Sequence, residues 1–208
     1  MIHNLHNENN YEANRYFNYL LLSIIFVFIA GIVTYGEKFR FWEYAYSYIG
    51  MYRTPGGNPN TTSFLIFIAG SLFNSFICFK IKSLFEKKLY QFLFAICGTG
   101  FILLTLPCDI LNPIHSTGGA MVFGSLWIFS HLGIYDIYHS GKSQKALVYF
   151  VLLNITVLPY AYLYFFNSPH QLIAQKPAII GLVFTVKMVI SEHADKHVGE
   201  NLKREVAQ

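Results

Sequence analysis

Six long apolar stretches limit what this chain can fold into. They span residues 18–35, 62–79, 89–106, 117–138, 146–166 and 172–190. A helix that crosses the hydrocarbon core of a bilayer needs about 20 mostly apolar residues, and each stretch is close to that length. Only 12% of the residues are charged, whereas a soluble domain carries about 25%. The sequence therefore predicts an all-α, polytopic membrane protein built as a bundle of six transmembrane helices.

The distribution of Lys and Arg predicts how this bundle is oriented. If the N-terminus is cytoplasmic, ten cationic residues fall on the cytoplasmic side and four on the outer side, with Lys187 inside a span. Short cytoplasmic segments are enriched in Lys and Arg. We therefore expect a cytoplasmic N-terminal segment (1–17), a transmembrane domain (18–192) with an outer loop (36–61), and a cytoplasmic tail (193–208). The expected location is a bacterial inner (cytoplasmic) membrane.

Composition and spacing exclude several classes of site. The net charge of +4 is spread over the cytoplasmic segments and forms no basic groove, so no nucleic-acid partner is expected. The three cysteines show no zinc-ligand spacing. His193 and His197 share one helix face but lie in a polar tail, which favours a solvated segment over a metal site. The sequence thus predicts no metal and no cofactor, names membrane lipids as partners, and leaves the oligomeric state open.

The long outer loop has two interpretations. Its first half is rich in aromatic residues, and its second half, RTPGGNPNTT, is rich in turn formers. Aromatic side chains favour the membrane–water boundary, so the loop could rest there as an interfacial lid. It could also cover a ligand pocket. The sequence does not decide between these two.

A second cluster lies in the turn that precedes the fourth span. Asp109 and His115 are predicted to lie between or beside Pro107 and Pro113, on the same membrane side as Ser47. They could serve only as turn and cap residues, they could contact a ligand or headgroup, or they could act as an acid–base pair. A serine hydrolase is disfavoured, since Ser47 lacks a GxSxG context.

The candidate ligand-binding residues follow from this cluster. They are Tyr46, Ser47, Asp109 and His115, together with Asn74 on the second helix. Small residues at four-residue spacing, among them the pair Ala120 and Gly124, are expected to let helices approach closely.

Three polar residues are predicted inside or near the inner half of the bundle: His131, Lys187 and Asp136. Polar groups in hydrocarbon are costly and need a partner or a role. Lys187 could extend to the boundary, pair with Asp136 or Glu192, or bind an anion or relay protons. His131 is interpreted as a hydrogen-bonded core residue, with a proton-carrying role as the alternative.

Short motifs resemble a known family. YSYIG, RTPGGNPN, and the run from GTGFILLTLPCD to PIHSTGGAMVF resemble the six-span DRAM/FRAG/Sfk family and its bacterial relatives. The matching positions are Ser47, Gly50, Pro55 or Pro59, Gly98, Gly100, Pro107, Asp109 and His115. The resemblance implies a six-helix bundle with cytoplasmic termini and an association with lipid handling, and it assigns no catalytic role.

Three functions stay open at this point. The first is a lipid-associated protein, not an enzyme, with an outer pocket. The second is a lipid-modifying enzyme that uses Asp109 and His115. The third is a small-molecule or proton-coupled transporter that uses His131 and Lys187.

Overall fold

Six helices joined by mostly short connections make up the described chain. The computed structural model describes the backbone of residues 2–205 and the side chains of residue 9 and residues 11–192. The helices are α1 (Ile2–Val33), α2 (Thr61–Leu84), α3 (Lys88–Leu104), α4 (Asn112–His139), α5 (Ser143–Phe165) and α6 (Gln171–Glu205). This confirms the prediction of an all-α bundle. The side chains of His193 and His197 lie outside the described residues.

Five of the helices are long and apolar enough to cross a membrane. These segments are Tyr11–Val33, Thr61–Leu84, Asn112–His139, Ser143–Phe165 and Gln171–Glu192. The apolar helix α3 has 17 residues and is about 26 Å long at ~1.5 Å per residue. It runs from the inner end of α2 back to the start of α4, so it completes the sixth crossing. The chain is a multi-pass membrane protein.

Large apolar side chains on the surface fit this assignment. On α1, Leu22, Phe26, Ile29 and Val33 form one helix face and are 58–78% exposed. A soluble monomer rarely exposes a contiguous apolar patch of this kind. In a bilayer the same face meets lipid chains at no cost.

Six crossings place the two termini at the same end of the bundle. We call this end, with the connections 85–87 and 140–142, the terminal end. We call the other end the loop end, and it carries the segments 34–60, 105–111 and 166–170. The long loop contains a short 3-10 helix, Tyr46–Gly50.

Helix boundaries differ most from the prediction at the start of α4, at the start of α1 and at the end of α6, which continues to Glu205. Helix α4 begins at Asn112 instead of Thr117, because Pro113 falls in its first turn, where the missing N–H costs nothing. His115 therefore belongs to a helix and not to the preceding turn. Helix α1 begins at Ile2, so it includes most of the polar segment 1–17.

Close packing of α3 on α4 depends on two glycines. A Cβ built on Gly118 would lie 2.7 Å from the carbonyl oxygen of Gly100, and a Cβ on Gly100 would lie 2.7 Å from that of Gly118. Only glycine fits at such an approach. Ala120 and Gly124, expected to serve the same purpose, instead line a cavity, and a Cβ on Gly124 would meet no atom within 4 Å.

Candidate functional site

A cavity of about 690 Å³ lies in the loop-end half of the bundle. All six helices and the 3-10 helix contribute to its wall. Its apolar wall includes Val27, Phe67, Phe101, Phe123, Leu126, Val157 and Leu182. Small-molecule sites are clefts of about 300–1,000 Å³ with mostly apolar walls and a few polar groups, and this cavity fits that description.

The 3-10 helix of the long loop covers the cavity. Ala45, Tyr46, Ser47 and Tyr48 line it. The Tyr46 hydroxyl donates to the carbonyl of Ile24 at 3.0 Å, and the Tyr46 amide donates to the Gln175 side chain. Burial raises the pKa of the Tyr46 phenol, so it stays a hydrogen-bond donor. The loop is thus attached to both α1 and α6, which favours the pocket-cover interpretation.

Asn60 fixes the path of this loop. Its side chain is 1% exposed and lies at the start of α2. The side-chain oxygen accepts from the Gly36 amide, and the side-chain nitrogen donates to the carbonyls of Ile49 and Met51. One side chain thus pairs with three backbone groups of the loop, and Ser63 also donates to the Ile49 carbonyl. The sequence analysis did not single out Asn60.

Glu37 organises the solvent side of the same loop. Its carboxylate accepts hydrogen bonds from the hydroxyls of Tyr44 and Thr54, both at 2.7 Å, and from the Gly56 amide. The bonds from Tyr44 and Thr54 lower the pKa of the Glu37 carboxyl. The loop that covers the cavity is therefore stabilised by hydrogen bonds on its solvent side as well as by its bonds to α1 and α6.

Asp109 ties the turn before α4 to the long loop. Its two carboxylate oxygens accept from the backbone amides of Tyr52 and Arg53, at 2.9 and 3.0 Å. The neighbouring Cys108 donates to the carbonyl of Ser47 at 3.4 Å. Residues from the three short sequence motifs thus meet at the loop end, where they hold the cover in place.

His115 faces the cavity and does not contact Asp109. Its side chain is 3% exposed and its ring stacks on Phe67, with centroids 6.0 Å apart. Its Nδ1 lies 2.7 Å from the carbonyl oxygen of Leu106, which can only accept, so Nδ1 carries the proton. The Nε2 atom is then an acceptor. The structure thus separates the two residues that the acid–base hypothesis paired.

Unpaired polar atoms concentrate at this cavity. Within the described residues, four buried side-chain atoms have no hydrogen-bond partner in the protein: Asn74 Oδ1, His115 Nε2, Trp127 Nε1 and Gln171 Oε1. All four residues line the cavity. Buried polar atoms are nearly always paired, and an unpaired one costs about 1–3 kcal/mol. Four residues with an unpaired polar atom in the wall of one cavity are the pattern expected of a site for a polar or amphiphilic ligand.

The cavity brings together four of the five predicted ligand-binding residues. Tyr46, Ser47, Asn74 and His115 line it, whereas Asp109 lies in the loop network outside it. Their role in binding stays a prediction. Trp127 and Gln171 were missed. A spacing of four residues between Gln171 and Gln175, at the start of an otherwise apolar span, was the available signal for the second of these.

The predicted intramembrane polar residues form separate contacts. The half-buried His131 hydrogen-bonds to the Trp127 carbonyl and the Asn154 amide. Lys187 contacts Asn14 on α1 at 2.5 Å. Because His131 faces α5 and Lys187 faces α1, the two do not line one shared pathway.

The acidic residues of the terminal end have other lysines as partners. Asp136 accepts from Lys87 at 2.5 Å and from Tyr90. Glu192 accepts from Lys142 and Lys145, at 2.5 and 2.7 Å. Lys187 therefore pairs with neither carboxylate.

Metal ligands do not cluster in the described part of the chain. No group of three or more His, Cys, Asp or Glu side chains among those residues could hold a metal ion. The loop-end cavity offers hydrogen-bonding groups inside an apolar chamber.

Comparison with known proteins assigns neither a family nor a function to this chain. No family model, no curated protein and no solved structure matches this chain. The resemblance to the DRAM/FRAG/Sfk family stays a prediction that rests on short motifs. The functional argument rests on the geometry of the loop-end cavity.

Proposed function

We propose that this membrane protein binds an amphiphilic lipid in the loop-end cavity. The observation that carries the proposal is the convergence of four unpaired buried polar atoms on a single apolar chamber. A purely structural core would pair these atoms or replace them with apolar groups. A ligand with both a polar head and an apolar body would pair with the polar atoms at the loop end and fill the apolar remainder of the chamber.

The polar atoms define how such a lipid would lie. His115 and Gln171 are at the loop end, near the membrane boundary. Trp127 is twelve residues further along α4, or roughly 18 Å deeper at ~1.5 Å per residue. The head of the lipid would contact His115 and Gln171 beneath the 3-10 helix. Its apolar body would extend between the helices along the apolar wall, which includes Phe123, Leu126 and Leu182.

The fixed loop suits binding better than catalysis. A general base must reach the proton that it removes. Asp109 is occupied by two backbone amides of the long loop and does not orient His115. This geometry supports retention or presentation of a lipid, not its hydrolysis.

We further propose that the loop end faces away from the cytoplasm. The support is the excess of Lys and Arg at the terminal end, as the positive-inside rule requires. The cavity would then open toward the outer leaflet of a bacterial inner membrane.

A cavity-filling variant tests lipid binding. Gly124 lines the cavity and a Cβ there would meet no atom within 4 Å, so Gly124→Phe directs a ring into the open space. We expect native mass spectrometry of the purified full chain to show a bound lipid that is lost in Gly124→Phe.

Ile128→Phe is the matched control. It adds a ring on the same helix, at a side chain that is 43% exposed and outside the cavity. The control should keep the lipid. Equal lipid retention by both variants would contradict the proposal.

A further inference from the structure

The wall of the loop-end cavity carries no Asp, Glu, Lys or Arg among its described lining residues. Lys176 follows the lining residue Gln175 along the chain, but its ammonium donates to the carbonyls of Tyr44 and Leu172, at 2.5 and 2.6 Å. No described lining residue would place an opposite charge against a phosphate or carboxylate in this chamber. Burial of an unpaired charge is costly, so the wall selects against charged headgroups.

The unpaired atoms also specify the direction of hydrogen bonding. Three of the four are acceptors: His115 Nε2, Asn74 Oδ1 and Gln171 Oε1. The fourth, Trp127 Nε1, is a donor. The two of these atoms that belong to loop-end residues, His115 Nε2 and Gln171 Oε1, are both acceptors, so a head that pairs with them must donate hydrogen bonds. Hydroxyl groups can do so, whereas esters and ethers only accept.

We propose that the ligand is an uncharged lipid whose head carries hydroxyl groups, of the monoacylglycerol class. This inference rests on the proposed function, because it identifies the chemistry of the lipid in the same cavity. The head hydroxyls donate to His115 Nε2 and Gln171 Oε1 below the 3-10 helix. The two residues lie on different helices, α4 and α6, so they recognise the head from two sides.

Three probes with the same acyl chain separate head charge from hydroxyl donation. They are monooleoylglycerol, methyl oleate and oleoyl lysophosphatidylglycerol. Binding of each to the full chain, freed of co-purified lipid in mild detergent, is measured by native mass spectrometry over a concentration series. We expect monooleoylglycerol to bind about tenfold or more tightly than either of the others, the effect of one or two hydrogen bonds in a dry site.

His115→Phe tests the head contact itself. The variant keeps an aromatic ring against Phe67 but removes the acceptor. Monooleoylglycerol should then lose its advantage over methyl oleate, while the affinity for methyl oleate stays. His139→Phe is the matched control, since His139 lies on the same helix, is exposed, and also bonds to a backbone carbonyl. If His115→Phe does not fold, Gln171→Leu provides the same comparison.

Each outcome decides between the two proposals. Equal or tighter binding of lysophosphatidylglycerol overturns the uncharged head and leaves lipid binding in place. Equal binding of methyl oleate overturns hydroxyl recognition and also leaves lipid binding in place. Failure of all three probes to bind overturns both proposals.

Discussion

At the scale of single residues, His115 shows why contacts matter more than residue type. Its position beside a carboxylate in the sequence suggested an acid–base pair. In the structure its Nδ1 donates a hydrogen bond to the Leu106 carbonyl, and its buried Nε2 has no hydrogen-bond partner in the protein. The Asp109 carboxylate instead accepts a hydrogen bond from a backbone amide of the long loop. Sequence spacing located both residues at the right end of the bundle but could not show which groups they contact.

Asp109 gives a prediction about stability. Asp109→Ala removes both acceptors for the Tyr52 and Arg53 amides. Hydrogen bonds to charged groups contribute about 1.5–3 kcal/mol when they are well protected, and Asp109 is exposed, so we expect a loss of about 1–2 kcal/mol in the free energy of unfolding. Amide hydrogen exchange at Tyr52 and Arg53 should also become faster.

Glu43→Ala is the comparison for this variant. Glu43 is an exposed carboxylate with a salt bridge to Arg40. Surface pairs of this kind contribute about 0–1 kcal/mol. An equal effect of the two variants would show that Asp109 does not hold the loop.

Glu37 gives a prediction about pH. Because hydrogen bonds from Tyr44 and Thr54 lower the pKa of Glu37 below its ordinary value of 4.5, the ionised form stabilises the folded loop. This contribution is complete above the unfolded pKa and is lost as the pH falls through the folded pKa. Protection of the Gly56 amide from exchange should be constant above pH 4.5 and decrease below it. In Glu37→Gln this decrease should be absent, and its persistence there would exclude Glu37 as the cause.

At the scale of elements, the length of the apolar stretches predicted the helices well but did not predict the residues at which they begin. The six spans were found because about 20 apolar residues are a strong and local signal. The start of α4 was missed because Pro113 reads as a helix breaker, although proline is accepted in a first turn. Because α4 begins earlier than predicted, His115 lies on a helix and lines the cavity, whereas the sequence placed it in a turn. The contacts of the loop with α1 and α6 join residues distant in sequence, so no local pattern could predict them.

The α3–α4 pair gives a prediction about packing. Gly118→Ala would force a methyl group against the Gly100 carbonyl. Overpacking of this kind costs typically about 1–3 kcal/mol, so thermal unfolding in detergent should shift to lower temperature.

Gly124→Ala, two turns along the same helix, is the control for Gly118→Ala. Its Cβ would enter open space, and alanine favours a helix over glycine by about 1 kcal/mol. Its unfolding temperature should be unchanged or slightly raised. A larger loss in Gly124→Ala than in Gly118→Ala would contradict the close approach of α3 and α4.

At the scale of the whole molecule, the topology can be tested by labelling. Cys78 and Cys97 are buried, and burial, together with the charge of Asp109, raises the pKa of the Cys108 thiol to about 12. The native thiols should therefore react slowly with maleimides near neutral pH. In intact cells, an impermeant maleimide should label Glu43→Cys, and Lys82→Cys only after permeabilisation. Labelling of both from outside would contradict the six-crossing topology, and the reverse pattern would invert the proposed orientation.

Mapping of a photo-crosslinked lipid tests lipid binding in the loop-end cavity most directly. Cells that express the full chain are supplied with a monoacyl lipid carrying a diazirine in its chain, irradiated, and the adducts are located by peptide sequencing. The account predicts adducts on cavity-lining residues of α4 and α6, such as Trp127 and Leu182, which Gly124→Phe abolishes. Adducts confined to the outward faces of the helices, such as Phe26 and Ile29 of α1, and insensitive to Gly124→Phe, would contradict it.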